Sequence, residues 1–248
     1  MASTRPLDGQ VAIVTGSVRR IGKAMAAALA RDGAAVVIHA RSSREEAQAA
    51  AREIEESGGR ALVQLANVTE EAAVTRMVDA VMSAFGRVDI LVNNAADRGE
   101  APFLEMSFAE WRKLTGIILD GAFLCSRAVL AHMVARGHGR IINIGGVSAH
   151  LGASGRAHIG TAKAGLIGFT RALALEFAEK GVTVNCVVPG RIGGERSATS
   201  GKGISHQPPV GREGRAEEVA EIVRTLCQPS GGYVTGQTIH VNGGLYLP

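Results

Sequence analysis

The chain has 248 residues, 46% of them hydrophobic and 20% charged, with a formal net charge of +4. That length bounds the fold at one large domain or two small ones, with enough apolar residues to bury a sizeable core. The positive charges are scattered, which speaks against a nucleic-acid-binding arm, and no uninterrupted apolar run reaches the roughly 18 residues of a membrane span.

In chain order, short continuous apolar runs alternate with stretches of helical period. "VAIVTG" (11–16) reads as a strand, and "RIGKAMAAALARDG" (20–33) as an Ala-rich helix closing on a glycine. "AAVVIHA" (34–40) is a second strand, "SREEAQAAAREIEESGG" (43–59) a helix with early acids, and "RALVQLANV" (60–68) a third strand. "EAAVTRMVDAVMSAFGR" (71–87) is amphipathic, while "VDILVNNAA" (88–96), "GRIINIGGVS" (139–148) and "GVTVNCVVPG" (181–190) are further apolar runs bounded by turn residues. Runs apolar throughout belong to strands covered on both faces, and their alternation with helices implies βαβ units. The expected fold is therefore α/β with a parallel sheet, as one domain over 1–248. The Gly-, Ser- and Pro-rich stretch 190–214 is expected to be a flexible lid over a substrate. The cysteines Cys125, Cys186 and Cys227 lie far apart without C-x-x-C spacing, so no disulfide framework and no metal site is expected. "MASTRPLDGQ" leads into the first strand without the apolar stretch of a signal peptide, and a cytoplasmic location is expected.

"TGSVRRIG" (15–22) directly follows the first strand and opens the first helix. Gly16 permits the tight turn, Gly22 lets helix and strand approach, and the helix N-terminus offers N–H groups to a pyrophosphate. The segment resembles the T-G-x-x-x-G-x-G of short-chain dehydrogenases/reductases. "NNAA" (93–96) resembles their N-N-A-G, and "TAKAGLIGFTRALALEFAEKGVTVNCVVPG" (161–190) and "TGQTIHVNGG" (235–244) resemble their last helix–strand passages. The likeness runs from Gly9 to Gly244. It implies a Rossmann-like doubly wound parallel sheet with helices on both faces, a nicotinamide cofactor, a small-molecule substrate and a homotetramer, with neither nucleic acid nor membrane as partner. The cofactor is expected to meet Gly16, Ser17, Arg19, Arg20, Ile21 and Gly22 in the turn, Asn67 and Val68, Asn94 and Ala95, Lys163, and Pro189, Gly190 and Ile192. Arg20 stands at the family's middle glycine, as in its pteridine-reductase branch, where a guanidinium can reach an adenosine 2′-phosphate. Ala40 replaces the acidic residue of NAD-specific members and is followed by Arg41 and Arg44, which favours NADP(H).

The resemblance also places a catalytic tetrad. Its lysine falls on Lys163, its tyrosine on Ile159, its serine on Gly146 and its asparagine on Ile118, and the threonine after the family's P-G-x-I-x falls on Gly194. An isoleucine has no proton to give, and losing a positioned acid typically costs about 10²–10⁴-fold where alkoxide charge develops. Substitute groups are sought in His158, Ser148, His150 and Asp120. The expected catalytic set is Lys163, His158 and Ser148.

The leading expectation is an NADP(H)-dependent short-chain oxidoreductase acting on a small carbonyl, imine or activated C=C without the Ser–Tyr pair. An iminium is protonated beforehand and needs no acid. An anionic ligand is expected to be drawn by Arg191, Arg196, Lys202, His206, Arg212 and Arg215. The alternatives are a non-catalytic NADP(H)-binding sensor or oligomer partner, and a non-redox enzyme on the same scaffold.

Overall fold

The computed structural model describes residues 5–194 and 206–248. Seven parallel strands run β1 (Val11–Val14), β2 (Ala35–Ala40), β3 (Arg60–Leu65), β4 (Ile90–Asn93), β5 (Gly139–Ile144), β6 (Val182–Pro189) and β7 (Thr238–Val241). Their order in the sheet is β3-β2-β1-β4-β5-β6-β7. The chain thus winds outward from β1 to β3, then crosses back to place β4 on the other side of β1. At that reversal two loops diverge above the strand ends and leave a crevice, the usual ligand site of such sheets.

Helices cover both faces. They are α1 (Arg20–Arg31), α2 (Arg44–Glu56), α3 (Glu71–Phe85), α4 (Phe108–Thr115), α5 (Gly121–Arg136), α6 (Ser148–Leu151), α7 (Ala157–Phe177) and α8 (Ala216–Cys227). One layer packs Met25, Leu29, Val36, Ile38, Ile90, Ile142 and Val223 beneath α1, α2 and α8. The other packs Ile13, Val37, Met77, Val81, Leu91, Val129, Met133 and Ile141 beneath α3 and α5. β1, β2, β4, β5 and β6 are buried throughout, which is why their sequences read as unbroken apolar runs.

Residues Phe108–Arg136 form one continuous helical stretch with a π turn at Gly116–Asp120. By length and composition alone this 29-residue stretch could cross a membrane. Its side chains Ala122, Cys125, Val129, Leu130 and Met133 are buried inside the protein, while Phe108 and Phe123 are exposed. The sequence reading by uninterrupted runs passed over this stretch.

Candidate active site

The end of β1 turns into α1 through a tightly fixed loop. Gly16 adopts φ 63°, and a Cβ at Gly22 would sit 2.2 Å from the Gly16 carbonyl oxygen, so only glycine fits there. The Thr15 hydroxyl donates to the Val92 carbonyl at 3.2 Å and accepts the N–H groups of Asn94 and Ala95, both at 2.9 Å. The Asn94 side-chain amide donates to the carbonyls of Thr15 and Gly16, both at 2.9 Å. From the other side, His39 Nδ1 accepts the Gly16 N–H at 3.0 Å while Nε2 bonds the Ala66 carbonyl at 3.0 Å. Burial lowers the His39 pKa to about 4, so the ring is neutral, and the two bonds fix its proton on Nε2. Ser17 Oγ accepts the His39 N–H at 2.8 Å and is fully buried, so its side chain braces the turn. Sequence reasoning missed His39; the signal was a histidine inside an otherwise apolar strand.

The loop opens onto a cleft of about 1170 Å³ above the carboxyl ends of the strands. It is lined on one side by Gly16, Arg19, Arg20, Ile21, Gly22 and Asn94, and on the other by Pro189, Gly190 and Ile192. No side chain caps the first turn of α1, so its N–H groups are left for a ligand. A glycine cradle that a Cβ would fill, beside an uncapped helix start, fits a dinucleotide pyrophosphate. Of the other expected contacts, Arg41 is exposed beyond β2 and is not among the residues lining the cleft. Asn67 spends its side chain on Glu70 and Thr69. Val68 and Ala95 line a small void beneath the cleft. Arg19 pairs with Glu46 of α2. Arg20 donates to the carbonyls of Ile192 at 3.0 Å and Gly194 at 2.9 Å.

The inner end of the cleft is formed by Ile144–Ser148, Arg156, Ile159 and Lys163. Ile159 and Lys163 fall at i and i+4 of α7, one turn apart on the same face, and Arg156 is the residue that precedes the helix. Lys163 is 8% exposed and donates to the Ile144 carbonyl. Burial lowers its pKa to about 8, opposed by nearby Cys186 and helped by the Arg98 cation. The Cys186 thiol is itself pushed up to about 11 by burial. Ile159 joins Leu114, Ile118, Ala122, Ala162 and Leu166 in one apolar cluster, so the cleft wall there is hydrocarbon. Ile118, in the π turn, and Lys163 both border the void of about 10 Å³, where the buried Asn93 Oδ1 has no hydrogen-bond partner.

The proton-handling candidates separate. Ser148 is buried at the cleft, with its Oγ 3.8 Å from where a Cβ on Gly146 would stand. His158 is buried outside the cleft lining, and its Nδ1 accepts the Ile159 N–H at 3.0 Å. Burial lowers its pKa, against the pull of the Arg156 carbonyl and Glu110. His150 meets His240 edge-on and Tyr246 at a tilt, with ring centroids 4.5 and 4.7 Å away, and Asp120 is exposed. Neither lines the cleft. The described ends of the 190–214 stretch form a stem, in which Arg191 pairs with Glu213 at 2.8 Å. Arg212 pairs with Glu218. Arg196 and Lys202 lie outside the described residues.

A family model described as Enoyl-(Acyl carrier protein) reductase matches residues 16–246. The chain is 41% identical to a 3-oxoacyl-[acyl-carrier-protein] reductase of Synechocystis sp., over 97% of this chain and 98% of the relative. With the same coverage of each chain, it is 40% identical to the 3-oxoacyl-[acyl-carrier-protein] reductase FabG of Escherichia coli. It is 39% identical, again over 97% and 98%, to the (2S)-[(R)-hydroxy(phenyl)methyl]succinyl-CoA dehydrogenase subunit BbsD of Thauera aromatica. The chain belongs to the short-chain dehydrogenase/reductase family. That is a family of oxidoreductases, and the seven-stranded sheet and glycine turn are its frame. Against this membership the inner cleft stands out: a short-chain dehydrogenase/reductase with a buried lysine has hydrocarbon one helical turn before it.

Proposed function

We propose that the chain is an NADP(H)-dependent oxidoreductase that works without a Ser–Tyr pair, on an iminium, an activated C=C or the 3-oxo group of a 3-oxoacyl thioester. The observation that carries this reading is Lys163, held buried in the cleft that starts at the phosphate turn and flanked by Ile159 instead of a phenol. Bound there, the nicotinamide supplies or takes up the hydride. The α1 N-terminus and Gly16–Gly22 bind the pyrophosphate, and a 2′-phosphate is read beyond β2 by Arg41, which directly follows that strand, and by Arg19, which pairs with Glu46 of α2. Ile159 and its cluster exclude water from one face of the substrate. Lys163, as the cation, holds a proton for an oxygen that gains charge, and the Ser148 hydroxyl donates to the same oxygen. An iminium carbon becomes neutral on accepting hydride and asks nothing of either group. The names of the acyl-carrier reductases among the relatives support thioester substrates. The family resemblance supports a homotetramer in the cytoplasm.

The test is NADPH consumption with a cyclic iminium, an enone, a 3-oxoacyl thioester and a simple ketone. Turnover of at least one of the first three well above the ketone supports the reading. Tight NADPH binding with no transfer to any acceptor supports a second one, a cofactor-binding subunit without turnover. That alternative is favoured by the packing of Ile118 and Ile159 into one apolar cluster and by the relative named as a subunit.

A further inference from the structure

Arg20 is the one non-glycine residue with positive φ among the described residues, at 49°. L-residues with side chains avoid that region, and such strain persists where the surroundings hold it. Here the surroundings are the opposite wall of the cleft. Nη2 of Arg20 donates to the Ile192 carbonyl at 3.0 Å and Nη1 to the Gly194 carbonyl at 2.9 Å, 172 and 174 residues away in sequence. The direction matters. β2 lies on one side of β1, whereas β4, β5 and β6 lie in that order on the other. A guanidinium that touches the segment leaving β6 therefore points away from the end of β2, where a 2′-phosphate would be read.

What it touches is a built stem. Ile192 bridges Gly214 in parallel, Gly193 N–H donates to the Gly214 carbonyl at 2.8 Å, and Gly214 N–H donates to the Arg191 carbonyl at 2.8 Å. The Arg191–Glu213 pair closes its base. The two acceptors just named are neutral carbonyls. An anionic phosphate oxygen at the adjacent N–H groups of Ile21 and Gly22 would take the same donors more strongly.

We propose that Arg20 is a latch that ties the phosphate turn to the stem of the 190–214 stretch, and that a dinucleotide pyrophosphate releases it by taking its guanidinium. Arg20 is then a positioning residue coupling cofactor entry to the stem, and it does not choose between NADP(H) and NAD(H). The release rests on the dinucleotide reading of the cleft; the latch itself does not.

The test compares wild type with Arg20→Gly, a substitution the positive φ favours, so folding is not at risk. By hydrogen exchange without ligand, the Gly193 and Gly214 amides should exchange about tenfold faster in the variant. In wild type, saturating NADP⁺ should move Gly214 exchange toward the variant's rate. In titrations, Arg20→Gly should weaken NADP⁺ and NAD⁺ alike, each by about tenfold, leaving their ratio within about twofold. Unchanged exchange in the ligand-free variant overturns the latch. Slower Gly214 exchange with NADP⁺, or loss of the preference between the two dinucleotides, overturns the release. If neither dinucleotide binds wild type, the cofactor reading and the release fall together, while the ligand-free exchange still decides the latch.

Discussion

Gly16 donates its backbone N–H to Nδ1 of His39 at 3.0 Å, so a side chain from the second strand holds the first residue of the phosphate turn. The bond requires a bare nitrogen on that ring, and the ring's other nitrogen is committed to the Ala66 carbonyl. Protonation therefore cannot be accommodated without breaking one of the two.

That arrangement sets an acid limit. The folded pKa of His39 is lowered to about 4, below its unfolded value of about 6.5. Its contribution is complete above about pH 6.5 and is lost as pH falls toward 4, on the order of 3 kcal/mol in total. His39→Gln offers an acceptor to Gly16 and a donor to Ala66 with no titration. Urea unfolding midpoints at pH 7 and 4.5 should converge for the variant and diverge for wild type.

Lys163 gives the opposite end of the range. As the cationic acid it loses its proton through about pH 8, so kcat/KM for an enone or thioester should fall roughly tenfold per unit above that. Lys163→Met should cut the same rate by about 10²-fold or more. It should also raise stability at pH 7 by on the order of 1–3 kcal/mol, because a buried cation is removed. That gain should shrink between about pH 8 and 10.5, where the unfolded wild type still holds the proton and the folded one does not.

Ile118→Asn, Gly146→Ser and Ile159→Tyr together should restore simple ketone reduction, by about 10²-fold or more over the parent. A Cβ at Gly146 meets Lys163 Cγ at 3.7 Å and Ser148 Oγ at 3.8 Å, ordinary contacts, so a serine fits there. The amide introduced by Ile118→Asn would stand beside the unpartnered Asn93 oxygen, at a stability cost of about 1–3 kcal/mol if it stays unbonded. A folded triple variant with no gain would mean that Lys163 is not placed for that chemistry.

Cofactor choice should depend on the end of β2. Arg41→Ala should weaken NADP⁺ by about tenfold and leave NAD⁺ unchanged in the same calorimetric titration. Equal weakening of both would remove Arg41 as a phosphate reader.

Much of this was legible in the sequence. The unbroken apolar runs gave strands within a few residues of their ends, because strands buried on both faces carry no alternation to misread. The glycine turn was legible because a Cβ at Gly22 has nowhere to go. Phe108–Arg136 was not, since a helix apolar on several sides gives little periodicity. The directions of polar side chains were equally hidden. Spacing alone could not show that Ser17 faces His39, that His158 turns away from the cleft, or that Arg20 crosses to the far wall. Those facts depend on which loops meet above the sheet.

The π turn at Gly116–Asp120 interrupts an otherwise regular helical stretch. Inserting one residue into a helix rotates everything after it by about 100°, so α5 leaves the turn on a different bearing from α4. Ile118, inside the turn, is buried among Leu114, Ala122, Ile159, Ala162 and Leu166 and borders the same void as Lys163. For an engineer this makes residue 118 a lever with a toll: an acid, ligand or nucleophile placed there arrives within reach of the lysine, and it has to find its own polar partners among hydrocarbon neighbours.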